Sequence, residues 1–230
     1  MGRTMMTDEQ REVARVHIKA DEKVYISDHP LIHNKIAILR DAGTNKKEFR
    51  ELVNELAMLL TYEATRDLLV MTTEIVTGMN VKAEVQKLSG KDVVIAVILR
   101  ASLGMIDGVL ELLPTAAVAH IGIYRDPETK SPTRYYFKAP SDVAEREVFV
   151  IDPMLATGGS AIDAITQLKY AGCQKIHFIC ILAVPEGVAA LREAHPDVDI
   201  YIGEMDEKLD ENAYILPGLG DAGDRLYGTK

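Results

Sequence analysis

Between Lys46 and about Leu69 the apolar residues Phe49, Leu52, Val53, Leu56, Leu59 and Leu60 return every three or four positions. That period predicts an amphipathic helix with one core-facing stripe. From Asp92 onward the pattern changes. Short continuous runs rich in β-branched residues, Val93–Leu99, Ala117–Tyr124, Val148–Ile151, Ile176–Val184 and Val198–Ile202, predict buried strands. Met105–Leu113, Ser160–Ala171 and Glu186–Ala194 read as the helices between them. Unbroken apolar strands alternating with helices predict an α/β fold, a parallel sheet covered by helices on both faces.

Two stretches break this rhythm. Residues 1–22 read as a charged extension, helical over Thr7–Lys19, ahead of one domain spanning 23–230. Arg125–Ser141 is polar, holds three prolines and carries Tyr135, Tyr136 and Phe137 in a row. It reads as a β-arm or flap, because long connections inside compact domains are usually functional. Pro30 separates His29 from His33, which argues against a shared helix face. All six histidines are assigned to surface or core roles.

Composition narrows the functional classes. Hydrophobic residues make up 47% and charged residues 27%, a globular balance. The formal charge of −9 disfavours nucleic acid and anionic membranes, so a polyanionic ligand must be held by local groups. Cys173 and Cys180 are too few for a disulfide framework or a metal cluster and read as buried thiols of a reducing compartment. Met1–Lys19 holds no apolar stretch of signal-peptide length and nothing elsewhere approaches a membrane span, so a soluble cytoplasmic protein is expected.

The chemistry concentrates in loops that follow strands. Asp152-Pro-Met-Leu-Ala-Thr-Gly-Gly-Ser160 comes after a buried strand and opens a helix. Gly158 and Gly159 allow close backbone approach, Thr157 and Ser160 supply hydroxyls, and the helix start supplies unpaired N–H groups. That is an anion cradle, with Asp152 placed to hold sugar hydroxyls at the carboxyl end of a strand. A triphosphate P-loop is disfavoured, because no lysine precedes Ser160.

Arg100 and Arg125 each follow a predicted strand, and a guanidinium there suits a pyrophosphate. A surface arginine in an ion pair is the competing reading for Arg100, and a solvated surface arginine for Arg125. The C-terminal stretch Tyr214-Ile-Leu-Pro-Gly-Leu-Gly-Asp-Ala-Gly-Asp-Arg225 is dense in glycine. Such a loop can read a flat heterocycle through its main chain, with Asp221 facing the reacting centre or its metal. A simple closing turn would account for the glycines equally well.

With Leu59-Leu-Thr-Tyr-Glu-Ala-Thr65, Ile98-Leu-Arg-Ala101, Leu103-Gly-Met105, Pro185-Glu-Gly187 and His195-Pro-Asp197, these two loops make the chain resemble the uracil phosphoribosyltransferase family from about Tyr25 to Lys230. The resemblance implies a type I phosphoribosyltransferase fold with a flexible arm and a C-terminal hood. It implies uracil and phosphoribosyl pyrophosphate (PRPP) as substrates, with Mg2+ carried on the pyrophosphate rather than by protein ligands. Asp152, Pro153, Met154, Leu155, Ala156, Thr157, Gly158, Gly159 and Ser160 would hold the ribose and 5-phosphate of PRPP. Arg100 and Arg125 would contact its pyrophosphate. Ile215, Gly220, Asp221 and Ala222 would read uracil, and Asp221, Arg100 and Arg125 would serve catalysis. A homo-oligomer and GTP as an effector are further implications.

The chain departs from the family pattern at Val97, where proline is usual, and at Ser102, where glycine is usual. If that glycine serves a backbone conformation closed to other residues, weakened PRPP binding or turnover is expected. The alternatives are a phosphoribosyltransferase for another base, a PRPP-sensing regulator, and a nucleotide-binding protein without catalysis.

Overall fold

The computed structural model describes Thr7, residues 21–125 and residues 132–229, with only the backbone of Arg125 and Pro132. The helix expected over Thr7–Lys19 therefore falls almost wholly outside the described residues. An eight-stranded sheet runs in the order β1 (Val24–Ile26), β10 (Asp199–Met205), β9 (Ile176–Ala183), β7 (Val148–Ile151), β4 (Val94–Leu99), β5 (Ala117–Arg125) and β6 (Pro132–Lys138), with β8 (Met154–Leu155) pairing on β9. Every pairing is parallel except β5 with β6. The expected α/β architecture is present, and the arm is the antiparallel edge strand β6.

Alternation within the strands sorts the core into two layers. Ile95, Val97, Phe149, Ile151, Ile179 and Ile181 face one way. They meet α1 (Pro30–Arg40), α2 (Lys46–Ala64), α3 (Leu103–Leu112) and α6 (Ala222–Tyr227). Val94, Ala96, Ile98, Val148, Val150 and Phe178 face the other way, against α4 (Gly159–Tyr170) and α5 (Pro185–Ala194). Both faces are thus covered, which is why the strands could be apolar throughout. Cys173 and Cys180 are free and buried. Burial, reinforced by the Asp152 charge, pushes the Cys180 thiol well above its usual range.

Local chemistry bears out one reading of the sequence and corrects two others. Pro30 opens α1 at the first helical position, where its missing N–H costs nothing, so His29 stands outside the helix and shares no helix face with His33. The His29 ring caps the helix by accepting from the Leu31 N–H at 3.1 Å. The helix begun at Lys46, capped by Asn45, ends at Ala64 rather than near Leu69. Beyond it lies a hairpin that the sequence reading missed, β2 (Val70–Val76) with β3 (Lys82–Leu88), turned through Asn80 at φ 59°. A short antiparallel pair, β11 (Lys208–Leu209) with β12 (Ile215–Leu216), leads into the C-terminal loop.

Strands β4 and β7 lie side by side, and the chain leaves them in opposite directions, β4 into α3 on one face and β7 into α4 on the other. That divergence opens a crevice at the carboxyl ends of the two strands, the place where open α/β sheets bind ligands.

Candidate active site

Asp152 follows β7 directly, half-buried, with its N–H held by the Ile179 carbonyl at 3.1 Å. The next residues are fastened to β9: the Pro153 carbonyl accepts from the N–H groups of Ile181 and Leu182, each at 3.1 Å, and the Leu155 carbonyl from Val184 at 3.2 Å. Pro153 and Leu155 are buried, so their side chains serve the core and only their main chain can meet a ligand. Met154, Ala156, Thr157, Gly159 and Ser160 are partly exposed along the same loop. Gly158 takes φ 79° at the start of α4, a left-handed conformation that disfavours other residues. No side chain caps α4 and no acidic residue occupies its first turn. Its leading N–H groups and positive end therefore suit an anion.

The second loop leaves β4 through a cis Leu99–Arg100 peptide and turns into α3. Arg100 is exposed. Ser102 does not bear out the backbone argument made from the sequence. Its φ of −64° and ψ of −18° are ordinary helical values that require no glycine. Its side chain is fully buried and donates to the Ile98 carbonyl at 2.7 Å, while Asp152 Oδ1 stands 3.5 Å from the same hydroxyl. Val97 is likewise absorbed, buried in β4 in register with Ile151 and His120. Ser102→Ala is expected to cost about 1 kcal/mol, the usual worth of one such hydrogen bond, read as a lower urea midpoint at unchanged slope.

Arg125 ends β5, the strand beside β4, so its backbone lies on the same sheet edge; its side chain is outside the described residues.

The third loop is strapped down by two arginines that the sequence reading did not single out. Arg40, at the end of α1, pairs through both terminal nitrogens with the buried Asp206, reaches Glu204 at 3.0 Å and donates to the Gly218 carbonyl at 2.9 Å. Asp206 in turn accepts from the Gly218 N–H at 3.0 Å. Burial works against the Arg40 charge, but Asp206 and Glu204 outweigh it and hold its pKa above the ordinary value. Arg225 donates to the carbonyls of Leu39, Leu219 and Asp41 and lies 4.3 Å over the Phe49 ring. Ile215 and Ala222 are buried, so at these positions the main chain is what remains to read a base. Gly218 and Gly220 take positive φ, and the Leu216–Pro217 peptide is cis.

Asp221 is exposed, and its carboxylate caps α6 by accepting from the Asp224 N–H at 2.8 Å. It also lines a cavity of about 440 Å³ with Lys46, Tyr214, Asp224 and Arg225. A roomier cavity, about 730 Å³ between β1, α1 and α2, contains none of the three loops. Helix α6 joins the third loop to the second: Leu226 packs over Gly104, and the Tyr227 hydroxyl donates to the Arg100 carbonyl at 3.0 Å. Among the described residues no group of three His, Cys, Asp or Glu side chains could hold a metal ion, and no helix is long and apolar enough to cross a membrane.

The model of the family described as uracil phosphoribosyltransferase matches residues 26–229. A uracil phosphoribosyltransferase of Agathobacter rectalis is 60% identical over 208 residues, covering 90% of this chain and 99% of that protein. One from Geobacillus sp. strain WCH70 is 57% identical with the same coverage. Among solved structures, a protein of Aquifex aeolicus superposes with a TM-score of 0.86 at 35% identity, over 90% of this chain and 99% of that one.

Proposed function

Because this chain belongs to the uracil phosphoribosyltransferase family, we propose that it is the pentosyltransferase that joins uracil to PRPP, giving UMP and pyrophosphate for pyrimidine salvage. The observation that carries this reading is the meeting of three loops. The Asp152–Ser160 and Arg100 loops leave adjacent strands at one crevice, and α6 brings the C-terminal loop onto the Arg100 carbonyl. In this reading the N–H groups opening α4, with Thr157 and Ser160, take the 5-phosphate, and Asp152 takes the ribose hydroxyls. Arg100 and Arg125 take the pyrophosphate. The main chain of Ile215, Gly220 and Ala222, with Asp221, orients uracil.

Uracil N1 forms a bond to the anomeric carbon as the bond to pyrophosphate oxygen breaks, the electron pair leaving with pyrophosphate. The N1 proton is released. No protein nucleophile takes part. Fixed orientation of the two substrates and charge on the leaving group would supply the rate enhancement. Mg2+ would arrive with PRPP and be held mainly through its pyrophosphate, which agrees with the lack of a metal-binding cluster among the described residues. When bound, that ion would neutralise charge on the departing pyrophosphate.

The family reading extends to a cytoplasmic homo-oligomer with GTP as an effector. Free buried cysteines agree with a reducing compartment. Val70, Met71, Val76, Met79, Val81 and Leu88 stand exposed on the β2–β3 hairpin, which favours association.

Pyrophosphate release and UMP formation from uracil, PRPP and magnesium test the reaction. Asp221→Asn is the informative control, because asparagine keeps the cap of α6 while removing the charge. It is expected to cut turnover at least tenfold with the melting temperature held. Asp221→Ala adds a cap loss of about 1 kcal/mol. Wild-type turnover with other bases but not uracil, or PRPP binding without release, would overturn the assignment.

A further inference from the structure

Helix α6 has its two ends in two different half-sites. Asp221 and Ala222, at its start, belong to the loop read as the uracil site. Tyr227, its last residue, donates its hydroxyl to the carbonyl of Arg100, the residue read as gripping pyrophosphate. The helix is only six residues, about 9 Å long, and it is held as a rigid piece. Asp221 closes its first turn and Gly228, at φ 67°, closes its last, with the Gly228 N–H bonded to the Asp224 carbonyl at 2.7 Å. Arg50 Nε donates to the Leu226 carbonyl at 2.7 Å and fixes the same end to α2. Arg225 and the buried Leu226 fix the middle.

On the Arg100 side the loop is held from below by the buried Ser102, whose hydroxyl donates to the Ile98 carbonyl at 2.7 Å. The Arg100 side chain is exposed, and the Leu103 N–H is the other donor to the Arg100 carbonyl, at 3.1 Å. Partial burial pushes the Tyr227 phenol above its usual range, so it stays a proton donor at neutral pH.

We propose that Tyr227 is a positioning residue for Arg100, tying the pyrophosphate loop to the base-reading helix so that occupation of either half-site favours the other. The inference rests on the family reading of the two loops and adds a link between them. Coupling of this kind needs an element that both half-sites engage, and α6 is the element that does so here.

Tyr227→Phe removes the hydroxyl and keeps the ring. The expected result is a KM for PRPP raised about five- to tenfold, the scale of one lost hydrogen bond to a ligand-holding loop, with the KM for uracil at saturating PRPP raised as well, because the link is reciprocal, and the melting temperature held. The link itself is read by titrating magnesium pyrophosphate with and without uracil, a pair that cannot react. Wild type is expected to bind pyrophosphate more tightly with uracil present, and Tyr227→Phe to bring that ratio toward one.

Equal ratios in the two proteins overturn the proposal, as do both KM values unchanged. A variant in which both KM values rise together with a fall in melting temperature also overturns it, because that pattern belongs to a merely structural contact. The titration reads the link even in a chain that releases no pyrophosphate from PRPP, so failure of the family reading and failure of this inference are separate results.

Discussion

Gly187→Ala is expected to lower kcat/KM for PRPP by about 10²-fold, although Gly187 touches no proposed ligand. It sits in the first turn of α5, pressed against the Asp152–Ser160 loop. A Cβ there would lie 2.5 Å from the Leu155 carbonyl oxygen and closer still to that of Ala156, where ordinary contact begins near 3.4 Å. Both obstacles are backbone, so neither can rotate away, and the loop must move by roughly 1 Å. A displacement of that size in a loop holding a reacting group is enough for a hundredfold loss. The core cost is about 1–3 kcal/mol, which leaves a folded protein to assay. Steady-state kinetics beside a thermal melt check it. A variant with a lowered melting temperature and full activity would show that the loop adjusts freely.

Arg40→Ala is expected to cost about 3–5 kcal/mol and to raise the uracil KM more than the PRPP KM. The substitution takes away the guanidinium facing the Asp206 carboxylate, which is 2% exposed, together with a bond to the Gly218 carbonyl. A buried carboxylate deprived of its cation bears most of that cost. For a domain of this size the melting temperature should fall by about 10 °C. Arg40→Lys keeps a charge without the two-pronged grip and should recover only part of the loss. Differential scanning calorimetry with substrate-dependent kinetics distinguishes the two effects. A melting temperature within 2–3 °C of wild type, little more than the roughly 1 kcal/mol of an exposed pair, would mean that the pair is solvated in solution.

The sheet was legible because its central strands are buried on both sides and therefore apolar at most positions. The same property explains what was lost. Val70–Val76 and Lys82–Leu88 alternate without a buried face, so their pattern was too weak to separate from loop, although Thr77-Gly-Met-Asn80 between them is a turn signal that would have found them. Pro30 was read only as splitting the two histidines, while its place at the start of a periodic run, Ile32, Ile36 and Leu39, also marked it as a helix opener. The loops with concentrated glycine were legible because their composition serves local backbone geometry. Arg40, Arg225 and Tyr227 were not, since each acts on a partner more than a hundred residues away, apart from the local Arg225–Leu219 bond. Ser102 looked like a liability while only its missing glycine was visible. Its burial and its bond to Ile98 turn it into part of the core.

The C-terminal loop is strapped to α1 across 178 and 186 residues of chain, and Tyr227 meets Arg100 across 127. A ribosome makes these partners far apart in time. Helices α1 and α2 and the first strands of the sheet can emerge and collapse long before the segment that covers their crevice exists. The Arg100 carbonyl lacks the Tyr227 bond until the segment from about residue 214 to 227 has emerged. Assembly of the binding surface thus waits on a segment made late, and a nascent chain without it would carry a phosphate cradle without its cover.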